Sequence, residues 1–422
     1  MRHLFRDADF TRLFLGRLVT NAGDSLYSVA AMWLVYSLTG STFYTGLAGF
    51  LTLGMQALQA FVGPLVDRWP LRRTLVWTQA AQGVLVLTIP AAHLLGVLSV
   101  WVVLTVMPLV SLLNQFVYPA GTAALPRIVD EEDLTAANSL FSMTYQGAEL
   151  VFNAVAGVVV VAFGAVVLFA VDSLTFALAV ALFAGIRVAP AERDPDADEE
   201  GYRAELVAGA RFLRHSRVVW ILGASVVANA LLGMVWPVLP AFADVRGDAS
   251  IYGLLLAGLA AGSLVGALLA PTFQDVPFGR LGLAGFSLSA AAWLAALQFE
   301  STWGLVALFA VAFVPVGVTN IVAMTLMQRL VPPAMLGRVA AVLGSAGTAV
   351  MPLGALLGGA LGDLYGPVAV MYAGGVGFLW IVGYILVVPS LRRMPAATAV
   401  EPEGEERDRE AGPAPGLPAN AD

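Results

Sequence analysis

Cysteine is absent from all 422 residues, and so is lysine, the 22 basic residues being arginine throughout. Without a thiol there is no disulfide framework, thiolate metal site or cysteine nucleophile. Histidine is nearly missing too: His3, His93 and His215 lie too far apart in sequence to suggest a histidine-rich metal site. Charge is scarce, at 12% of residues, about half the ~25% typical of soluble domains. In its place stands a hydrophobic fraction of 59%. A soluble particle keeps too much surface to hide that much apolar material. These shortages exclude a soluble enzyme, a disordered chain and a nucleic-acid binder. They leave a polytopic membrane protein, built from spans of about 20 apolar residues each.

Apolar runs recur near 13–38, 43–66, 74–96, 97–120, 138–164 and 165–186, then near 217–242, 249–271, 279–298, 301–328, 338–362 and 366–389. Six spans, a polar linker and six more predict an all-α membrane protein with twelve transmembrane helices in two six-helix repeats. The corresponding divisions are a first bundle over 1–186, a cytoplasmic linker over 187–216, a second bundle over 217–391 and a disordered acidic tail over 392–422. The net charge of −7 belongs mostly to the linker and the tail, where acidic residues cluster at 192–205 and 401–422, so it says little about ligands. The linker ends AELVAGARFLRHSR, with Leu206, Ala210 and Leu213 at helical spacing, a pattern that suits a short amphipathic helix on the membrane surface. The first apolar run is too long for the core of a signal peptide and acts as an insertion signal itself.

The arginines set the orientation. Arg2, Arg6, Arg12, Arg68, Arg72, Arg73, Arg127, Arg280, Arg329, the linker arginines and those after the last span all fall on one side, whereas the opposite loops hold only Arg246. The positive-inside rule then predicts cytoplasmic termini and linker in the inner membrane. A weak internal repeat agrees with the division into halves. At an offset of 202 residues Arg127 meets Arg329, Val129 meets Val331, Leu134 meets Leu336, Gly157 meets Gly359 and Gly164 meets Gly366. Paired repeats with a central site are an architecture of alternating-access transporters.

Between spans 2 and 3 the chain reads Gly63-Pro-Leu-Val-Asp67-Arg68-Trp-Pro-Leu-Arg72-Arg73. This resembles the signature loop of the major facilitator superfamily, in its expected place. Pro119-Ala120 to Leu125-Pro126 with Asn138-Ser139, the linker helix and Leu336-Gly337-Arg338-Val339 are similar to the macrolide-efflux and enterobactin-exporter branch. The resemblance implies the major facilitator fold and proton-driven export of small amphipathic molecules. It also implies an inner gate of Asp67, Arg68, Arg72, Arg73 and Arg338, in which Asp67 meets Arg338 at the start of span 11, where a helix N-terminus favours an anion. The alternative is a solvated loop whose arginines serve topology alone. The sequence departs from the superfamily's antiporters at Phe152-Asn153, where many carry Gly-Pro, and the second-half loop 266–280 lacks the Asp-Arg core.

Charges deep in a span are costly and mark functional candidates. Asp24 and Glu149 each fall near the middle of a span, where a carboxyl can exchange a proton near neutral pH. They are the candidate coupling residues, against the plainer alternatives of a helix-to-helix hydrogen bond or a wet cavity wall. Arg17, nearly on the face of Asp24, fits a side chain snorkelling to the surface. Asp172 in span 6 reads as a structural hydrogen bond. Buried amides need partners in hydrocarbon, which makes Asn21, Asn114, Gln115, Gln146, Asn153, Asn229 and Asn320 candidates to line a substrate cavity, with Tyr27, Tyr145, Trp236 and Met324. Prolines at 237, 240 and 315 should kink spans 7 and 10.

The expected protein is therefore a multidrug or macrolide-type antiporter, working as a monomer in the lipid bilayer on a small-molecule substrate and protons. No catalytic residue, cofactor, metal or nucleic acid is expected. A siderophore or metabolite exporter is an alternative. A membrane sensor or membrane-embedded enzyme is another, though no soluble domain and no nucleophile with its base is evident. Reporter fusions at residues 70, 200 and 400 should be cytoplasmic, and those near 40, 247 and 300 external; a cytoplasmic reporter at 247 would overturn the twelve-span topology.

Overall fold

The computed structural model describes residues 4–56, 69–187, 211, 214, 218–331 and 333–399; the side chains of 142–150 and of most of 332–348 fall outside that description. Twelve helical spans follow one another. The first half comprises α1 (Ala8–Thr39), α2 (Thr42–Gln56), α3 (Leu71–Leu94), α4 (Val100–Ala124), α5 (Leu134–Phe163) and α6 (Ala165–Ala184). The second comprises α7, in two pieces (Val218–Val235 and Leu239–Arg246), then α8 (Ala249–Leu269), α9 (Phe278–Ala296), α10 (Thr302–Leu330), α11 (Pro333–Tyr365) and α12 (Pro367–Val387). Helix is the form lipid allows, because it satisfies every backbone group within the span. Among the described residues, eight helices are long and apolar enough to cross a membrane by their own composition. Of the other four, α1 carries Arg12, Arg17 and Asp24, and α2 is described for 15 residues.

The ends are set locally. Asp7 caps α1 by accepting hydrogen bonds from the Asp9 and Phe10 amides at 2.7 and 2.8 Å, and Gly40 closes it at φ 62°. Pro237 interrupts α7, which passes through a 3-10 turn at Trp236–Val238. By contrast α10 runs unbroken through Pro315. Arg246, the exception to the arginine asymmetry, donates to the Leu297 and Phe299 carbonyls beyond α9, both at 2.6 Å, where a helix end favours a cation.

The repeat is visible in the backbone. Gly164, between α5 and α6, has φ 82° and ψ 157°; Gly366, between α11 and α12, has φ 85° and ψ 155°. Few non-glycine residues tolerate that conformation. At the same offset Ser99 and Ser301 are the N-caps of α4 and α10, and Trp101 and Trp303 stand exposed just inside them, as interfacial aromatics do.

Within the first half α6 packs on α1 and α3; within the second α10 packs on α8 and α9, and α7 on α11. The halves meet along α2·α11 and α5·α8. Both crossings are glycine to glycine. A methyl group at Gly46 would come within 2.6 Å of the Ala355 carbonyl and 2.7 Å of Gly359 Cα, and one at Gly157 within 2.9 Å of Gly253 Cα. Small residues let helix backbones approach in this way. Toward the end of the bundle remote from Leu4, here called the far end, polar contacts join the halves. Ser41 donates to Asp363 at 2.8 Å, Thr42 to the Gly359 carbonyl at 2.8 Å and Tyr36 to Asp244 at 3.1 Å.

At the opposite, terminal end, residues 392–399 differ from the disordered tail expected there. Met394 and Ala397 are buried, the Phe278 amide donates to the Pro395 carbonyl at 3.2 Å and Thr398 donates to Asp275 at 2.7 Å. The apolar residues Leu391, Met394 and Ala397 supply the reason, since each gains by leaving water. Because the chain has no native cysteine, Ser41→Cys with Asp363→Cys gives a clean test of the far end. A short thiol-to-thiol reagent should join the pair and arrest transport; no cross-link in the membrane would count against this closed arrangement.

Candidate functional site

Three helices of the first half, α1, α4 and α6, build a buried polar cluster. Asp24 sits halfway along α1. Its Oδ2 accepts from Asn114 Nδ2 on α4 at 3.4 Å, and its Oδ1 is buried with no hydrogen-bond partner. Arg17, two turns earlier, lies within electrostatic reach of Asp24 and against α4 at Gly121. Tyr27, one turn later, packs its ring edge-on against Phe169 at 5.7 Å, and its hydroxyl is buried without a partner.

Asp172 completes the cluster from α6. Leu168, Phe169, Asp172, Phe176, Ala179 and Phe183 share one buried face of that helix, so the carboxyl is carried inward by the same periodicity that buries the phenylalanines. It reaches α1 through the gap left by Gly23, where any Cβ would collide with Asp172 Oδ1 and Thr175 Oγ1. Thr175 donates to Oδ1 at 3.0 Å, which is the structural bond expected from the sequence. Oδ2, however, has no partner, and Asp24, Tyr27 and Asp172 are electrostatic neighbours. Buried polar atoms are rarely left unpaired, and three together make a place for a proton or a ligand's donor. Gly23 directly before Asp24 was the available sequence signal for this contact.

The other candidates scatter. Asn21 and Asn153 are buried, and Gln115 turns back to donate to the Ser111 carbonyl at 2.9 Å. Trp236 lies half-buried in the break of α7, and Met324 is exposed on α10. Asn229 and Asn320 line a separate cavity of about 170 Å³ in the second half. Arg72 and Arg73 are exposed in the first turn of α3. Asp67 and Arg68 lie outside the described residues, as do the side chains of Glu149, Tyr145, Gln146 and Arg338. Among the described residues no three histidine or acidic side chains cluster as metal ligands.

The profile of the transmembrane secretion effector family matches residues 4–410. The chain belongs to this family of the major facilitator superfamily. The MFS-type transporter YvqJ of Bacillus subtilis (strain 168) is 25% identical over 386 residues, covering 87% of this chain and 89% of that one. The enterobactin exporter EntS of Escherichia coli O1:K1 / APEC is 28% identical over 399 residues, covering 91% and 92%. Among solved structures, a bacterial homologue of the iron transporter ferroportin in its inward-facing state superposes with a TM-score of 0.69 at 16% identity, over 89% of this chain and 97% of that one. The nucleoside transporter NupG gives 0.72 at 10% identity, over 89% and 98%. These likenesses establish the twelve-helix, two-repeat fold. The chain is a multi-pass membrane transporter and not an enzyme.

The closeness of Gly23 to Asp172 yields a prediction. Gly23→Val should overpack the α1–α6 contact, at a cost of about 1–3 kcal/mol, and lower the thermal midpoint of the purified protein. Asp172→Ala together with Thr175→Ala in the same background should recover much of the loss by vacating the space. Equal midpoints for Gly23→Val and wild type would mean that α1 and α6 do not meet at this point.

Proposed function

We propose that this transporter exports small amphipathic compounds across the cytoplasmic membrane, exchanging each for protons by alternating access. The carrying observation is Asp24, half-buried midway along α1, with one oxygen on Asn114 and the other buried and unpartnered. A carboxylate held that way favours whichever step brings it a proton or a donor, and alternating access brings each in turn. Glu149, at similar depth on α5, is the second coupling candidate. The arginine asymmetry supports a cytoplasmic terminal end. The far-end contacts are then the outer seal of a carrier open to the cytoplasm. Asp67 facing Arg338 would form the opposing inner seal in the other state. Export as the direction draws support from the exporter named among the relatives.

Vesicles with an imposed pH difference test the reading against a panel of dyes and macrolides. Wild type should accumulate at least one compound only when the gradient is present. Asp24→Asn and Glu149→Gln keep size and remove titration. The variant that carries coupling should still exchange substrate down its own gradient while losing pH-driven accumulation. If both variants uncouple, the carboxyls titrate as a pair. Full pH-driven transport by the double variant would remove both from the mechanism.

A further inference from the structure

The cavity in the second half lies between α7, α9, α10 and α12, and none of its lining residues is charged. We propose that it is a binding site for one uncharged aromatic ring bearing a hydrogen-bond donor, of the phenol or indole class. That such a ring belongs to the exported compound rests on the export reading above; the binding site itself does not.

Size comes first. At about 170 Å³ the cavity slightly exceeds the ~150 Å³ apolar cavity that takes up benzene, so it suits one ring or a fused pair. The walls come next. Phe286 and Phe378 stack with centroids 6.4 Å apart, and Trp293 meets Phe378 at 5.8 Å and 64°. Trp293 Nε1 already donates to the Met371 carbonyl at 2.7 Å, so the indole offers a guest its ring alone. Such walls reward edge-to-face and offset contacts with another aromatic group. A charged group would enter with no opposite charge to meet it, which is costly. Polar groups set orientation: Asn320 also lines the cavity, and Asn229 gives an amide N–H to the Ser225 carbonyl at 3.0 Å, leaving its own carbonyl oxygen as an acceptor for a ligand's O–H or N–H.

The repeat explains why the space exists here. At the offset of 202, Phe176 corresponds to Phe378, and both are buried. Asp172 corresponds to Gly374, Thr175 to Gly377 and Asn114 to Val316. The place filled in the first half by the carboxyl cluster is, in the second, emptied by two glycines and lined by uncharged residues, most of them apolar. A Cβ at Gly377 would come within 2.8 Å of Leu231 Cδ1, and one at Gly374 within 2.7 Å of Val235 Cγ2, so larger side chains at either position press into the cavity wall.

Full-length protein in lipid nanodiscs, free of detergent, can be titrated with fluorescent 1-naphthol. Saturable binding is expected, with phenol and indole competing and with 1-naphthoate and 1-naphthylmethylammonium weaker by about tenfold or more. Gly377→Leu should weaken 1-naphthol by a similar factor. Phe286→Leu, which removes a ring without adding bulk, should weaken it several-fold while keeping the fold intact. Trp101→Phe, at an exposed residue of the first half, should leave binding unchanged. Equal affinity for the charged isosteres, wild-type affinity in both cavity variants, or competition by hexanol as strong as by phenol would overturn the proposal; the last would make the space a seat for lipid chains. If 1-naphthol binds as described but no compound moves with the pH gradient, the site stands and the export reading falls. If pH-driven export occurs without 1-naphthol binding, the reverse holds.

Discussion

Two places where glycine meets glycine, Gly46 on Gly359 and Gly157 on Gly253, govern how the halves of this transporter relate. In lipid no hydrophobic force draws one helix bundle to another, so association depends on close packing and a few hydrogen bonds. Both crossings supply the packing, and Ser41, Thr42 and Tyr36 supply hydrogen bonds at the far end. A contact of bare backbones has few interlocking side chains to break. It can therefore act as a pivot, while the polar contacts near it can be made and released. The same two helix pairs, α2·α11 and α5·α8, carry most of the contact between the halves.

The halves share a backbone and differ in what they bury. Cap serines, interfacial tryptophans and the glycines at 164 and 366 repeat, because they answer to membrane thickness and turn geometry, which are the same for both. The interior repeats at Phe176 and Phe378 but not one turn away. On α6 the inward positions carry Asp172 and Thr175, and on α12 glycines. One duplicated frame thus presents an interior with carboxyls and one with no charged residue.

Much of this was legible in the sequence. The spans, the break in α7 at Pro237 and the repeat offset followed from hydrophobic run length, proline chemistry and a few matched residues, all of which act locally. Asp24 stood out because a charge in an apolar run is conspicuous wherever the helix points. The role of Asp172 was not legible, since its open oxygen depends on which face of α6 meets α1 and on the missing side chain at Gly23. Nor could the amides be sorted. Asn114 reaches Asp24 while its neighbour Gln115 folds back on its own helix, a difference of about 100° around α4 that composition cannot see. Residues 392–399 were misjudged for a related reason: a stretch rich in Pro and Ala has no periodicity to announce that three of its residues will be buried.

That closing segment bears on the order of assembly. The contacts that seal the start of α9 join Gln274 and Asp275 to Thr398, across 124 and 123 residues. As the chain emerges from the ribosome, α9 enters the bilayer with this edge unmade, and it stays so while α10, α11 and α12 are synthesised. The second half is therefore finished last at its terminal end, after every span has been synthesised.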